Sequence, residues 1–262
     1  MINRIEKKFR ELRKDNKKAL IVYIMSGLPN IKFTQKLVLE LENSGADLIE
    51  LGVPFSDPVA DGPVIQEACV RALKKGINLK DIFSLVSRIR KNSQIPIVLM
   101  LYYNLILHFG EEKFVKAAIA CGVDGVIVPD LPVEEADTLI KFSRKVNLAT
   151  IFFVTPTSSP ERLKQSSKLS SGFVYYISRT GVTGANTELA ANLGRQIKRI
   201  RKFTKSGVCV GFGINNPSQV KLINKVSDGA IVGSAVVKII LEERRENVII
   251  RKISNFVRSL NV

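Results

Sequence analysis

The 262-residue sequence predicts an α/β fold: a closed (β/α)₈ barrel with an additional N-terminal helix, one domain over residues 1–262. Three observations carry that expectation. Eight short apolar runs alternate with longer amphipathic ones. Most of the short runs are apolar throughout, as strands buried on both faces of a parallel sheet must be. No Pro/Gly/Ser-rich linker divides the chain, and eight βα units fill the length that such a barrel needs. A doubly wound open sheet is the alternative, but its GxGxxG turn is missing after the first strand.

The expected strands cover residues 19–25, 47–53, 96–103, 125–129, 149–154, 172–178, 207–213 and 229–235. Helical periodicity places helices over 33–43, 64–74, 79–91, 112–120, 133–145, 160–169, 188–202 and 217–225. Two more, 236–245 and 248–260, follow the last strand. In the 188–202 segment Leu189, Leu193, Ile197 and Ile200 make one apolar stripe, and basic residues take the other face.

Composition excludes several classes. With 45% hydrophobic and 24% charged residues, the chain is globular rather than disordered. Apolar runs such as 19–25 and 97–103 fall well short of the ~20 residues of a membrane helix. The first 20 residues mix Glu6, Glu11 and Asp15 with basic groups and hold no apolar core, so no secretory signal or transit peptide is expected. Cys69, Cys121 and Cys209 are widely spaced, form no CxxC pair, and read as small core residues of a reducing compartment. With a single histidine, His108, no metal site is expected.

Net charge is +16, from 40 basic and 24 acidic residues. The excess is spread over several segments, and between Glu188 and Asp228 there are eight basic residues and no acid. Solvated helix faces account for this pattern, and such a surface also attracts anionic substrates. A basic nucleic-acid-binding protein is the competing reading, but no aromatic–basic stacking motif supports it. Neither nucleic acid nor membrane is an expected partner.

A barrel keeps its chemistry on the loops after its strands. The unusual residues fall there. In the second strand, alternation puts Leu48, Glu50 and Gly52 on one face, and a carboxylate in so apolar a strand must be neutralised, paired or used. Glu50 is a candidate acid/base, the alternative being a buried, hydrogen-bonded structural residue. The next loop, Pro54 to Pro63, is stiffened by three prolines. Its Asp57 and Asp61 suit turn or helix-cap positions as well as catalysis. After the sixth strand, residues 178–187 form a Gly/Thr-rich loop able to close over a ligand. Glycines end the seventh strand at Gly211 and Gly213 and the eighth at Gly233, an arrangement that lets backbone N–H groups approach a phosphate. Tyr175 and Phe212 are the aromatics best placed to touch a ring.

The run from Glu50-Leu51-Gly52-Val53-Pro54-Phe55-Ser56-Asp57-Pro58 through Asp61-Gly62-Pro63 to Gln66 closely resembles the signature of the tryptophan synthase α-subunit family. The resemblance extends through Val128-Pro129-Asp130-Leu131-Pro132, Ser178 to Gly184, Gly211-Phe212-Gly213-Ile214 and Gly233 to Lys238. It implies a TIM barrel that cleaves indole-3-glycerol phosphate to indole and glyceraldehyde 3-phosphate by a retro-aldol reaction. Glu50 matches the general acid/base, and Asp61 the carboxylate that hydrogen-bonds the indole nitrogen. Gly184, Gly213, Gly233 and Ser234 match the phosphate site, Thr183 the closing-loop residue that meets Asp61, and Tyr23, Tyr175 and Phe212 the pocket lining. The resemblance further implies an α₂β₂ heterotetramer. In it, indole passes to a β subunit that holds pyridoxal phosphate and makes L-tryptophan. This chain itself is expected to carry no cofactor. Asp57, Pro58, Asn104 and Pro132 match segments facing that β subunit. A stand-alone indole-releasing lyase is the alternative. The expected location is the cytoplasm, or the plastid stroma for a plastid-encoded chain. Departures occur at Tyr23, Met25 and Leu28, where the family usually has Phe, Thr and an acidic or aromatic residue.

Overall fold

Alternating apolar residues along each strand give this chain two cores, one inside a ring of strands and one between that ring and its helices. The computed structural model describes residues 2–178, 186–211 and 213–261, with the backbone alone for 186–191. Helix α1 (Arg4–Lys14) precedes β1 (Ala19–Met25), α2 (Ile31–Asn43) and β2 (Leu48–Gly52). Two helices, α3 (Pro63–Leu73) and α4 (Leu79–Arg90), lead to β3 (Ile97–Met100), and α5 (Tyr103–Phe109) with α6 (Glu111–Cys121) to β4 (Gly125–Ile127). A 3₁₀ turn, Val133–Glu135, and α7 (Asp137–Lys145) lead to β5 (Ala149–Ile151) and β6 (Phe153–Val154). Then follow α8 (Pro160–Leu169), β7 (Phe173–Ile177), α9 (Asn186–Arg201), β8 (Gly207–Gly211), α10 (Pro217–Asn224) and β9 (Gly229–Val232). The chain finishes with α11 (Ser234–Glu242) and α12 (Glu246–Leu260).

All strand pairs are parallel, in the order β5-β4-β3-β2-β1-β9-β8-β7-β6. The two ends of that order are consecutive in the chain, so the ring is nearly closed. The expected eight strands are nine among the described residues because the 149–154 run splits at Phe152. There β5 pairs with β4 and β6 with β7. At this seam the Phe152 N–H donates to Ser170 Oγ at 3.0 Å and its carbonyl accepts from the Tyr175 N–H at 3.2 Å. Helix α5 was not anticipated. It begins at Tyr103, inside the expected 96–103 strand.

Helix α1 plugs the N-terminal end of the ring. Its Ile5, Phe9 and Leu12 are buried against Ala19, Leu48, Phe173 and Cys209. A Cβ at Gly207 would stand 2.8 Å from the Phe9 ring, so the plug fits only over a glycine. Three aspartates finish that end in the same way. Asp47, Asp124 and Asp228 each accept, at 2.8–2.9 Å, the N–H of a residue on a neighbouring strand: Leu20, Ile97 and Val208. Each returns its own N–H to the same residue's carbonyl. With its lower end closed by side chains, the ring is open for chemistry only at the C-terminal ends of its strands.

Candidate active site

Strand β2 delivers Glu50 into the ring, on the face that alternation assigns to it, together with Leu48 and Gly52. The carboxyl group is 1% exposed, and neither oxygen has a hydrogen-bond partner among the described residues. Burial, then the charge of Asp61, pushes its pKa up to about 8. A carboxylic acid so placed keeps its proton at neutral pH and is poised to give it up.

Asp61 shares the cavity. It is not the helix cap that its place in sequence allows: Gly62 is the N-cap of α3, and no side chain caps that helix. Its carboxylate instead accepts a 2.9 Å hydrogen bond from the Tyr102 hydroxyl. Burial raises the Asp61 pKa, and the Tyr102 bond opposes the rise. Tyr102 also accepts the Ala60 N–H at 3.0 Å and stacks on Phe55, ring centroids 5.0 Å apart. One residue at the end of β3 therefore holds the whole β2 loop. Sequence reasoning missed it because it lay unmarked at the end of an apolar run.

The cavity, about 140 Å³, is lined by Tyr23, Glu50, Asp61, Tyr175, Gly213 and Gly233 among others. Both tyrosines lie across glycines of neighbouring strands. A Cβ at Gly52 would overlap the Tyr23 hydroxyl, and one at Gly211 would stand 2.6 Å from the Tyr175 hydroxyl. Glycine at those two positions is what admits the rings. Gly213, at φ +64°, has open space where a Cβ would be. Gly233 caps α11 without a side-chain bond, and Ser234 begins that helix. Two sequence-expected phosphate residues, Gly213 and Gly233, thus meet the two carboxyl groups in one cavity, with Ser234 on its wall. Thr183, Gly184 and Phe212 lie outside the described residues.

The four rim residues fall after three strands that are adjacent in the ring, β2, β3 and β4. Asp57 is exposed and accepts the Ser56 hydroxyl at 2.5 Å. Asn104 is exposed on α5, and Pro58 and Pro132 are half-buried. Val59 and Leu107, 80% and 60% exposed, stand beside them as apolar side chains in solvent. His108 is exposed on α5 and meets no part of the site. The three cysteines are free and buried. Among the described residues no acid, His or Cys cluster is able to hold a metal ion. No described helix is long and apolar enough to cross a membrane.

Comparison with known proteins agrees with this geometry. A family model described as tryptophan synthase alpha chain matches residues 9–261. The sequence is 49% identical over 237 residues to the tryptophan synthase alpha chain of Geotalea daltonii, covering 90% of each chain. It is 46% identical over 248 residues to that of Methanocaldococcus jannaschii, covering 94% of this chain and 88% of the relative. Among solved structures, tryptophan synthase subunit alpha of Legionella pneumophila is similar at TM-score 0.91 and 35% identity, covering 100% of this chain and 98% of that one. A chain of the tryptophan synthase a2b2 complex of Pyrococcus furiosus is similar at TM-score 0.85 and 40% identity, covering 92% of this chain and 97% of that one.

Proposed function

The chain belongs to the tryptophan synthase alpha chain family, and from that premise we propose how its own residues carry out the α reaction. The reaction is the cleavage of indole-3-glycerol phosphate, a lyase reaction, with indole passed to a β subunit for L-tryptophan synthesis. Glu50 starts protonated and gives its proton to ring carbon C3. The resulting cation is centred on the ring N–H, which Asp61 holds as a carboxylate. Glu50, now ionised, takes the proton of the C3′ hydroxyl. The C3–C3′ bond breaks, its electron pair returns to the ring, and the aldehyde carbonyl forms. Glu50 ends protonated again, so the protons balance over one turnover.

The observation that carries this reading is the unequal setting of the two carboxyl groups. Burial raises both, but Glu50 has no partner and reaches about 8, whereas the Tyr102 hydroxyl opposes the rise at Asp61. Such a split between two carboxyls is how one site supplies an acid and an anion together. Gly213 and Gly184, with Gly233 and Ser234 at the start of α11, bind the phosphate mainly through backbone N–H groups. Thr183 closes the loop onto Asp61, and Tyr175 and Phe212 flank the ring. Asp57, Pro58, Asn104 and Pro132 face the β subunit, and exposed Val59 and Leu107 support an apolar contact there. Pyridoxal phosphate belongs to that β subunit, and no step assigned to this chain uses it. The place of action follows as the cytoplasm, or the plastid stroma for a plastid-encoded chain.

The test is indole release from indole-3-glycerol phosphate, with and without a β subunit, by wild type, Asp61→Asn and Asp57→Ala. Wild type is expected to speed up with β, Asp61→Asn to lose about 10²-fold or more in both conditions, and Asp57→Ala to lose only the response to β. Equal rates with and without β from wild type would instead describe a stand-alone lyase.

A further inference from the structure

Tyr23 stands on β1 in register with Glu50 on β2. Its ring is buried, 6% exposed, and fixed between two glycines. Its hydroxyl fills the place where Gly52 has no side chain, and a Cβ on Gly233 would come within 3.2 Å of its Cβ. The ring therefore has one place to lie, and its hydroxyl opens on the cavity that Glu50 and Asp61 line. Among the described residues that hydroxyl makes no hydrogen bond.

A phenol held this way is a donor looking for an acceptor. Burial, with the nearby Asp61 charge second, pushes its pKa well above the ordinary value, so it stays an O–H group at every working pH. Two acceptors, Glu50 and Asp61, line the same cavity. Asp61 is the one whose negative charge the site already supports, through the Tyr102 hydroxyl at 2.9 Å. An ionised carboxylate offers about four lone-pair positions, enough for Tyr102, a second hydroxyl and a ring N–H together. Catalytic hydrogen bonds that are long in a ligand-free site tighten when ligand closes it.

We propose that Tyr23 is a positioning residue of this site: its hydroxyl is the second donor to Asp61 when ligand occupies the cavity, and it fixes Asp61 as the anion and Glu50 as the proton carrier. The inference rests on the function proposed above and adds to it a role at a position where a phenylalanine would serve packing alone.

The test is a ¹³C-carboxyl NMR titration of wild type, Tyr23→Phe and Tyr102→Phe. The proteins are saturated with indolepropanol phosphate, which keeps ring and phosphate but lacks the reacting hydroxyls. Phenylalanine keeps the ring between the same glycines, so the pocket is preserved. Tyr23→Phe is expected to raise the Asp61 pKa in that complex by about one unit and to move the acidic limb of the kcat profile, which reports the substrate complex, upward by the same amount. Tyr102→Phe moves both in the same direction. An unmoved Asp61, a rise at Glu50 instead, or a change in KM that is the same at every pH would overturn the proposal. The titration needs no turnover, so its failure is distinct from a wild type that fails to cleave indole-3-glycerol phosphate, which would overturn the functional reading itself.

Discussion

Glu50 gives up stability for its position. Its pKa, raised to about 8 by burial and then by Asp61, means that the folded protein holds a proton which the unfolded chain loses near the ordinary value of 4.5. Between those two values the unfolded state binds fewer protons, so stability falls as pH rises and levels off above about 8. Glu50→Gln removes that loss. The variant is expected to be more stable than wild type at pH 8 by up to about 4 kcal/mol, at about 1.36 kcal/mol per pKa unit. The difference should shrink towards zero near pH 4, as read by denaturant unfolding at several pH values. The same proton sets the rate: kcat/KM is expected to fall above about pH 8 as Glu50 ionises in the free enzyme. Glu50 was legible in sequence because a lone carboxylate in an apolar strand is conspicuous. Asp61 was only half legible, since cap and catalyst look alike until Gly62 is seen to take the cap. Tyr102 carried no signal, because its role is made by the bonds it forms with Ala60 and Asp61 across the barrel mouth.

At the scale of elements, strand identity was legible because parallel strands buried on both sides read as unbroken apolar runs. β1 and α8 match their expected spans, 19–25 and 160–169, at both ends. The misses have physical causes. The 149–154 run looks continuous, but Phe152 turns its N–H to the Ser170 hydroxyl and the strand changes partners there. Helix α5 is only seven residues long, too short to show a periodic stripe within Tyr103–Phe109. The aspartate clamps were invisible because each joins residues 20 or 27 positions apart. Asp124 is the most connected of them: 3% exposed, it meets Arg90 at 2.7 Å, Arg4 at 2.9 Å and the Ile97 N–H at 2.8 Å. Asp124→Ala leaves Arg90 without its carboxylate partner, and about 3–5 kcal/mol of stability should go with it. Phe9→Ala empties the barrel plug and is expected to cost about 3–5 kcal/mol by the same measurement.

Across the whole molecule the charge acquires a direction that composition alone did not show. Basic residues gather in the last turns of the helices: Arg88 and Arg90 of α4, Arg144 and Lys145 of α7, Lys168 of α8, and Lys198, Arg199 and Arg201 of α9. Acids gather in first turns, at Asp81, Asp137, Glu161 and Glu246. Each end suits the helix macrodipole. A parallel barrel points the ends of these helices to one side, where α1 adds Arg13 and Lys14 and where Arg13 bonds the Lys205 carbonyl at 3.3 Å. These basic residues therefore collect on the face opposite the catalytic mouth, where Asp47, Asp124 and Asp228 also lie. Replacing Lys14, Lys17, Lys18 and Lys205 by Gln should leave kcat/KM, and its dependence on salt, within about twofold of wild type. A large drop would mean that this charge steers the phosphate substrate after all.

The central claim is that one buried carboxyl group both gives and takes the proton. It is tested most directly by indole release from indole-3-glycerol phosphate at pH 7, comparing wild type with Glu50→Gln, each saturated with substrate and with the β subunit. The glutamine keeps the shape and removes the group that gives and takes the proton. A loss of about 10²–10⁴-fold in kcat, in a variant as stable as wild type or more so, is the predicted result. Release within a few-fold of wild type would contradict the account and move the proton chemistry to another group in the cavity.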